Sequence, residues 1–195
     1  MTDGDWVETK DQDPNGEIRL IQLADIGDGE FLDRSSRFLN HDTAVRLRCT
    51  FLRPGDLLIA RMPDPLGRAC IFPGVSQPAV TAVDVCIWRT SPGGADPRWL
   101  MYVINSPDVR GAIAMLAGGT TRQRVSGGNL KRFVVPVPPL AEQRRIVARI
   151  EDLFARPRRA RAELQRIAPL AEQYRGAVLD AAEELQKPLV KLSSG

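Results

Sequence analysis

Over the first two thirds of the chain the apolar positions come in short runs interrupted by turn residues, the pattern of strands and loops. Residues 18–23 form an apolar run bounded by Asn15-Gly16 and by Asp25-Ile26-Gly27-Asp28-Gly29, which predicts a strand followed by a turn. Pro54-Gly55-Asp56 predicts a tight turn opening onto a strand over 57–60, and residues 67–72 and 82–88 predict two more. Between 97 and 116 the period changes: Trp99, Leu100, Val103 and Ile104 recur at helical spacing, and a second helical stretch runs from Asp108 behind Pro107. A Gly-Gly-Thr-Thr loop follows, then an extended segment over 133–139 that ends in prolines.

Beyond Pro139 almost every residue is a good helix former. Val147, Ile150 and Phe154 fall at a/d-like spacing, continued by Leu164 and Ala168, while Ile146 and Leu153 widen the stripe. Pro157 is expected to kink or break this helix and Pro169 to begin another, giving about three helical pieces over 140–186. Pro139-Leu140-Ala141-Glu142-Gln143 returns as Pro169-Leu170-Ala171-Glu172-Gln173, which we read as repeated helix-start chemistry. The helices either pack on their own domain or form a protruding, coiled-coil-like arm that docks on other proteins. In the second case Leu140, Ile146, Val147, Ile150, Phe154 and Leu164 are the candidate partner-binding residues. The expected class is therefore α+β: a mixed α/β domain over 1–138, a helical arm over 139–187 and a tail over 188–195.

Composition narrows the function. The 195 residues are 43% hydrophobic, enough for a real core. No apolar run approaches the ~20 residues that cross a bilayer, and the acidic, polar start predicts no signal peptide. Cys49, Cys70 and Cys86 are dispersed among apolar neighbours and read as buried reduced thiols of a cytoplasmic protein. One histidine, placed in the polar loop Asn40-His41-Asp42, and no Cys-x-x-Cys argue against a metal site, and no cofactor is expected. There is no phosphate-binding Gly-rich loop, no Gly-x-Ser-x-Gly elbow and no methyltransferase Asn/Asp-Pro-Pro-Tyr/Phe motif. Asp56, Asp64 and Asp84 could serve a magnesium-dependent nuclease by order alone, but no signature spacing joins them. A non-catalytic role is expected.

The net charge of +3 decides nothing, but its distribution is uneven. Residues 1–33 hold ten acids against Lys10 and Arg19, whereas residues 34–139 hold fourteen bases against six acids. The stretch 109–141 has no acid at all and contains Arg110, Arg122, Arg124, Lys131 and Arg132. A basic, acid-free loop suits a polyanion. It is equally a solvated face whose acidic partners arrive from residues 1–33 on folding. Loop 118–129 also offers the side chains that read base edges and hold phosphates, Thr120, Thr121, Arg122, Gln123, Arg124, Ser126 and Asn129, with Lys131 just beyond. Arg61 and Arg68 flank a proline turn and are further DNA-binding candidates, with pairing to Asp64 as the structural alternative.

Gly127-Gly128-Asn129-Leu130-Lys131-Arg132-Phe133-Val134-Val135-Pro136-Val137-Pro138-Pro139-Leu140-Ala141-Glu142-Gln143 closely resembles the junction between target-recognition domain and helix in type I restriction-modification specificity subunits. The start of the domain (Asp3-Gly4-Asp5-Trp6 with Asp25-Ile26-Gly27-Asp28-Gly29) and its middle (Pro54-Gly55-Asp56-Leu57-Leu58) resemble the same family. The resemblance implies a DNA-specificity subunit that recognises double-stranded DNA in the major groove and directs a methyltransferase subunit and, through the complex, a restriction subunit. A complete subunit of that family carries two such domains; one here implies reading half of a bipartite site, either with self-association of the arm into a homodimer or as a truncated part that awaits another half. Residues 177–185 lack the Phe and Gly of the family's helix end. A non-DNA-binding interaction or regulatory protein on the same scaffold is the alternative.

Overall fold

The fold is described from a computed structural model, over residues 1–63, 65–91, 93–119 and 123–186. The chain divides into two compact units, Met1–Val147 and a second that begins at Ala148.

In the first unit, β1 (Thr2–Asp3), β4 (Leu57–Ala60), β5 (Ala69–Ile71) and β7 (Val85–Trp88) form an antiparallel sheet in the order β1-β7-β4-β5. A second sheet has β2 (Ile18–Ile21) between β3 (Phe38–Leu39), antiparallel, and β6 (Ala79–Thr81), parallel. Alternation along β4 explains how the layers stack. Leu57 and Ile59 join Cys86 and Ala69 in a core completed by Trp99, Leu100 and Ile104 of α2 (Pro97–Asn105) and Ile113 of α3 (Pro107–Met115). Leu58 and Ala60 point the other way, into a core shared with Ile21 and Ala79 of the second sheet. The far side of that sheet, through Ile18, Leu20 and Val80, packs on Ala44 of α1 (His41–Arg46). All of β4 is buried on both faces, which is why its sequence is continuously apolar.

The elements start and stop where side-chain chemistry requires. Asp96 accepts from the backbone N–H groups of Arg98 and Trp99, and Pro97 occupies the first turn of α2. Ser106 ends α2 and opens α3 in an extended conformation (φ −64°, ψ 145°), the region that the following Pro107 imposes. Asn105 presents its side-chain amide to the free edge of β5, accepting from the Ala69 N–H and donating to its C=O, both at 2.8 Å. Asp25, fully buried, accepts from the backbone N–H groups of Gln22, Arg34 and Ser35 and from the Ser35 hydroxyl. Burial pushes the Cys49 thiol up to about 11 and those of Cys70 and Cys86 up to about 12.

Several expectations are corrected. His41 is not in a loop; it begins α1, with Asn40 as the cap accepting from the Thr43 N–H. The glycines at 127 and 128 do not continue a flexible loop but open α4 (Gly127–Arg132), because Ser126 caps it by accepting from the Asn129 N–H. The extended segment 133–139 joins no sheet; its prolines and exposed Val134 and Val137 leave no ladder to pair with. The helix after it, α5 (Leu140–Gln186), is one element through both Pro157 and Pro169. Each proline removes a single N–H from the ladder, and the Arg, Ala, Leu and Glu residues around it propagate the helix past the gap. Among the described residues no helix is long and apolar enough to cross a membrane. The expected tail 188–195 lies outside the described residues.

The Asp25 network yields a measurable expectation. Asp25→Ala strands three backbone N–H groups in the interior and should cost about 2–4 kcal/mol. Urea unfolding followed by tryptophan fluorescence measures it, and a loss below about 1 kcal/mol would show that water replaces the carboxylate.

Candidate nucleic-acid interface

The segment between α3 and α4 is built as a loop on a fixed base. Gly118 and Arg124 exchange two backbone hydrogen bonds, each 3.0 Å, and so hold the two ends of segment 118–124 side by side. Gly119 takes the left-handed φ of 98° that this reversal needs and that only glycine adopts freely. Asn129, on α4, donates its side-chain amide to the Leu116 C=O at 3.1 Å and so ties the two feet of the loop together. Just after the loop, Val125 is fully buried and its N–H donates to the Arg61 C=O at 3.0 Å.

Sequence-predicted residues separate into three groups around this base. Gln123 is exposed, and Lys131, in the last turn of α4, is exposed with no ion partner among the described residues, as is its neighbour Arg132. Thr120, Thr121 and Arg122 lie outside the described residues. Arg124, Ser126 and Asn129 serve the base: Arg124 donates to the Val83 C=O at 3.1 Å and pairs with Asp84 at 3.3 Å, Ser126 caps α4, and Asn129 spans the feet. Arg124 is only partly committed, since its side chain keeps about 34% of its surface exposed.

Arg61 and Arg68 are corrections. Arg61 is 7% exposed, donating to the Val125 and Val83 carbonyls at 3.0 Å and facing Asp3 at 3.4 Å. Arg68 is buried as well, donating to the Leu23 and Pro65 carbonyls at 2.9 Å and to those of Ile26 and Met62. Backbone carbonyls cluster where strands end and loops reverse, and a guanidinium with five donors satisfies several at once. Both guanidiniums are therefore buried and committed to backbone carbonyls rather than displayed on the surface. Asp64, considered as their partner, lies outside the described residues.

Folding consumes part of the charge asymmetry of the sequence. Asp3 faces Arg61, Asp11 pairs with Arg46 and Asp28 with Arg110, three bridges from the acidic first segment to the basic remainder. The Arg46 guanidinium holds the Asp11 carboxyl below the usual carboxylate range. Asp56 is bound by both Arg89 and the Arg53 N–H, so neither it nor Asp84 is a spare carboxylate.

Two features were not legible. A surface groove of about 380 Å³ lies next to the loop base, lined by Asp5, Trp6, Glu8, Gln22, Val83 and Asp84. Trp6 is 65% exposed, and burial raises the Asp5 pKa although the Thr50 N–H opposes it. Its carboxylates make this groove repulsive to phosphates. The second feature is Gln143, which is 2% exposed: its side chain accepts from the Asp96 N–H and donates to the Pro138 C=O, both at 2.7 Å. The Pro-Pro-Leu-x-Glu-Gln junction is thus a physical clamp between the start of α5 and the cap of α2. Ile146 and Val147, expected on a partner-binding face, pack instead into the core of the first unit. Leu140 and Ile150 are half-buried, while Phe154 and Leu164 are exposed.

Residues 4–166 match the family model described as type I restriction modification DNA specificity domain. The chain belongs to this family. Three curated relatives share its pattern: the specificity subunit of the type I restriction enzyme EcoKI of Escherichia coli K12 is 30% identical over 70% of this chain. That of EcoBI from Escherichia coli is 29% identical over 55%, and that of StySPI from Salmonella potsdam 28% over 44%. The matched stretches cover only 30%, 22% and 19% of those proteins, so this chain corresponds to a fraction of their length. Among solved structures, a chain from a study of the assembly and conformational transition of the type I R-M system superposes over 100% of this chain and 49% of its own. Its TM-score is 0.61 at 20% identity. The HsdS subunit from Thermoanaerobacter tengcongensis superposes over 90% of this chain and 44% of its own, with a TM-score of 0.59 at 22% identity. These likenesses bear out an α+β specificity domain followed by a long helix.

The base of the loop can be tested directly. A Cβ on Gly127 would lie 2.0 Å from Asp3 Oδ1, so Gly127→Ala displaces the carboxylate that faces Arg61 and accepts from the Cys86 thiol. The expected cost is about 1–3 kcal/mol in urea unfolding; an unchanged midpoint would mean that Asp3 leaves its place freely.

Proposed function

We propose that this domain recognises a specific DNA sequence through the loop 118–132, performs no chemistry itself, and directs partner subunits to one half of a bipartite site. The observation that carries this reading is the loop base: a turn closed by paired backbone hydrogen bonds, braced by Asn129, with Gln123 and Lys131 exposed around it. Such a base is what base readout needs, because bidentate contacts tolerate little displacement. Gln123 is suited to an adenine edge, Arg124 can exchange Asp84 for a guanine or phosphate, and Lys131 suits phosphate. Thr120, Thr121 and Arg122 belong to the same proposal.

Membership of the specificity-domain family supports it. So does the second unit, where Leu153, Phe154, Leu164, Ile167, Leu170, Tyr174 and Val178 are exposed along α5. We assign this apolar surface to docking of a methyltransferase subunit and to self-association, since contiguous apolar surface of this kind marks protein interfaces. A second reading, an interaction or regulatory module that binds no DNA, draws on the ion pairs of Arg46, Arg61 and Arg110, which leave less free positive charge than the sequence suggests.

Salt-dependent gel shifts separate the two. The unaltered chain should bind random duplex with an affinity that falls as salt rises. Lys131→Ala should weaken all sequences alike and lower the salt slope by about one, whereas Gln123→Ala should cost about 1–3 kcal/mol on the preferred sequence only. No binding at low salt would favour the interaction module. Light scattering tests the arm: the chain should run at twice its own mass, and Leu164→Glu should return it to a monomer. A monomer throughout removes self-association.

A further inference from the structure

We infer that Arg61 is a positioning residue for sequence discrimination: its buried guanidinium sets the place of Gln123 and Arg124, through Val125 behind them, without touching DNA. The inference rests on the DNA-reading function proposed above and adds a residue that the loop depends on. Arg61 joins three segments that are remote in sequence. Its backbone C=O accepts from the Val125 N–H at 3.0 Å and its Nε returns a bond to the Val125 C=O at 3.0 Å, so the residue directly behind the loop is gripped from both sides. Its N–H donates to the Asp84 C=O at 2.9 Å and its guanidinium to the Val83 C=O at 3.0 Å, fixing the turn before β7. Arg124, the last residue of the loop, donates to that same Val83 carbonyl at 3.1 Å. Two guanidiniums, one beneath the loop and one in it, are thus registered on one oxygen.

The third segment is the N-terminal strand. Asp3 faces Arg61 at 3.4 Å, accepts from the Cys86 thiol at 3.1 Å, and occupies the space that the absent side chain of Gly127 leaves open at the start of α4. Removing a charge from water is costly, and an aliphatic side chain often fills such a site at equal or better stability. An aliphatic side chain cannot hold the Val125 and Val83 carbonyls in fixed directions; a planar, five-donor fork can. The arginine therefore supplies geometry more than cohesion.

The two components of DNA binding respond differently to that geometry. Attraction of Lys131 and its neighbours to phosphates is long-ranged and survives small shifts of the loop. Bidentate contact with a base edge does not. Loosening Arg61 should consequently erase preference among sequences while leaving general affinity in place, a separation that a purely structural role does not produce.

Arg61→Lys keeps the charge and one hydrogen bond but cannot grip both carbonyls. The full chain and this variant are each presented with a pool of duplexes carrying a randomised core, and retained sequences are compared with the starting pool. Expected for the variant are a cooperative melting curve with a modestly lowered midpoint, unchanged binding of the unselected pool with the same salt slope, and enrichment reduced at least tenfold. Hydrogen exchange should quicken at the Val125 amide and stay slow at Leu58 of β4. Retained enrichment in the folded variant, or unchanged protection of Val125, would overturn the inference. Should Arg61→Lys fail to fold, Asp3→Asn loosens the same clamp from its more exposed side and is judged by the same two results. Absence of enrichment by the unaltered chain would overturn the DNA-reading function itself and is visible without any variant, so the two failures are told apart.

Discussion

Everything in the first unit hangs on a strand with no solvent face. The four residues of β4 separate two cores: Leu57 and Ile59 face the helices, Leu58 and Ala60 face the second sheet. Because each side of one strand is covered, its neighbours on both sides are fixed in register, with Ile59 opposite Cys86 and Ala69. The residue that continues β4 is Arg61, so the most constrained element of the fold ends at the guanidinium that grips Val125. Rigidity built by apolar burial is handed to a loop by hydrogen bonds.

Electrostatics plays a part different from the one that composition suggests. The excess of acids in the first 33 residues and of bases after them is a description of the unfolded chain. On folding, Asp3, Asp11 and Asp28 meet Arg61, Arg46 and Arg110, and part of the contrast disappears into the structure. Lys131 and Arg132 stay exposed, but so do Arg34, Arg37, Arg48 and Arg53, so exposed positive charge is not confined to the neighbourhood of Arg124. Net charge by segment is therefore a poor guide to a binding face when the two segments fold against each other.

Strands over 57–60 and 69–71 and the helix pair on either side of Pro107 were legible because period and punctuation agree there. The family was legible from the proline junction. The role of that junction was not: that Gln143 bridges Asp96 and Pro138 depends on two elements 47 residues apart in sequence, which no local pattern encodes. Arg61 and Arg68 were misplaced for the same reason, since an arginine beside a turn reads alike whether carbonyls or phosphates surround it. Pro157 and Pro169 misled in the opposite direction, because a strong local rule was overridden by helix formers on both sides. Gly127 carried a signal in principle, yet its cause, the carboxylate of Asp3, is remote in the chain.

The amide of Asn105 has a bearing on how such domains can be crowded together. By exchanging both of its hydrogen bonds with Ala69 it behaves as a one-residue strand laid along the outer edge of β5. An open edge is a template on which another chain can pair and aggregate. With its donor and acceptor already occupied at Ala69, this edge resists edge-to-edge polymerisation, and copies brought to high local concentration can lie with these edges together and still not fuse their sheets.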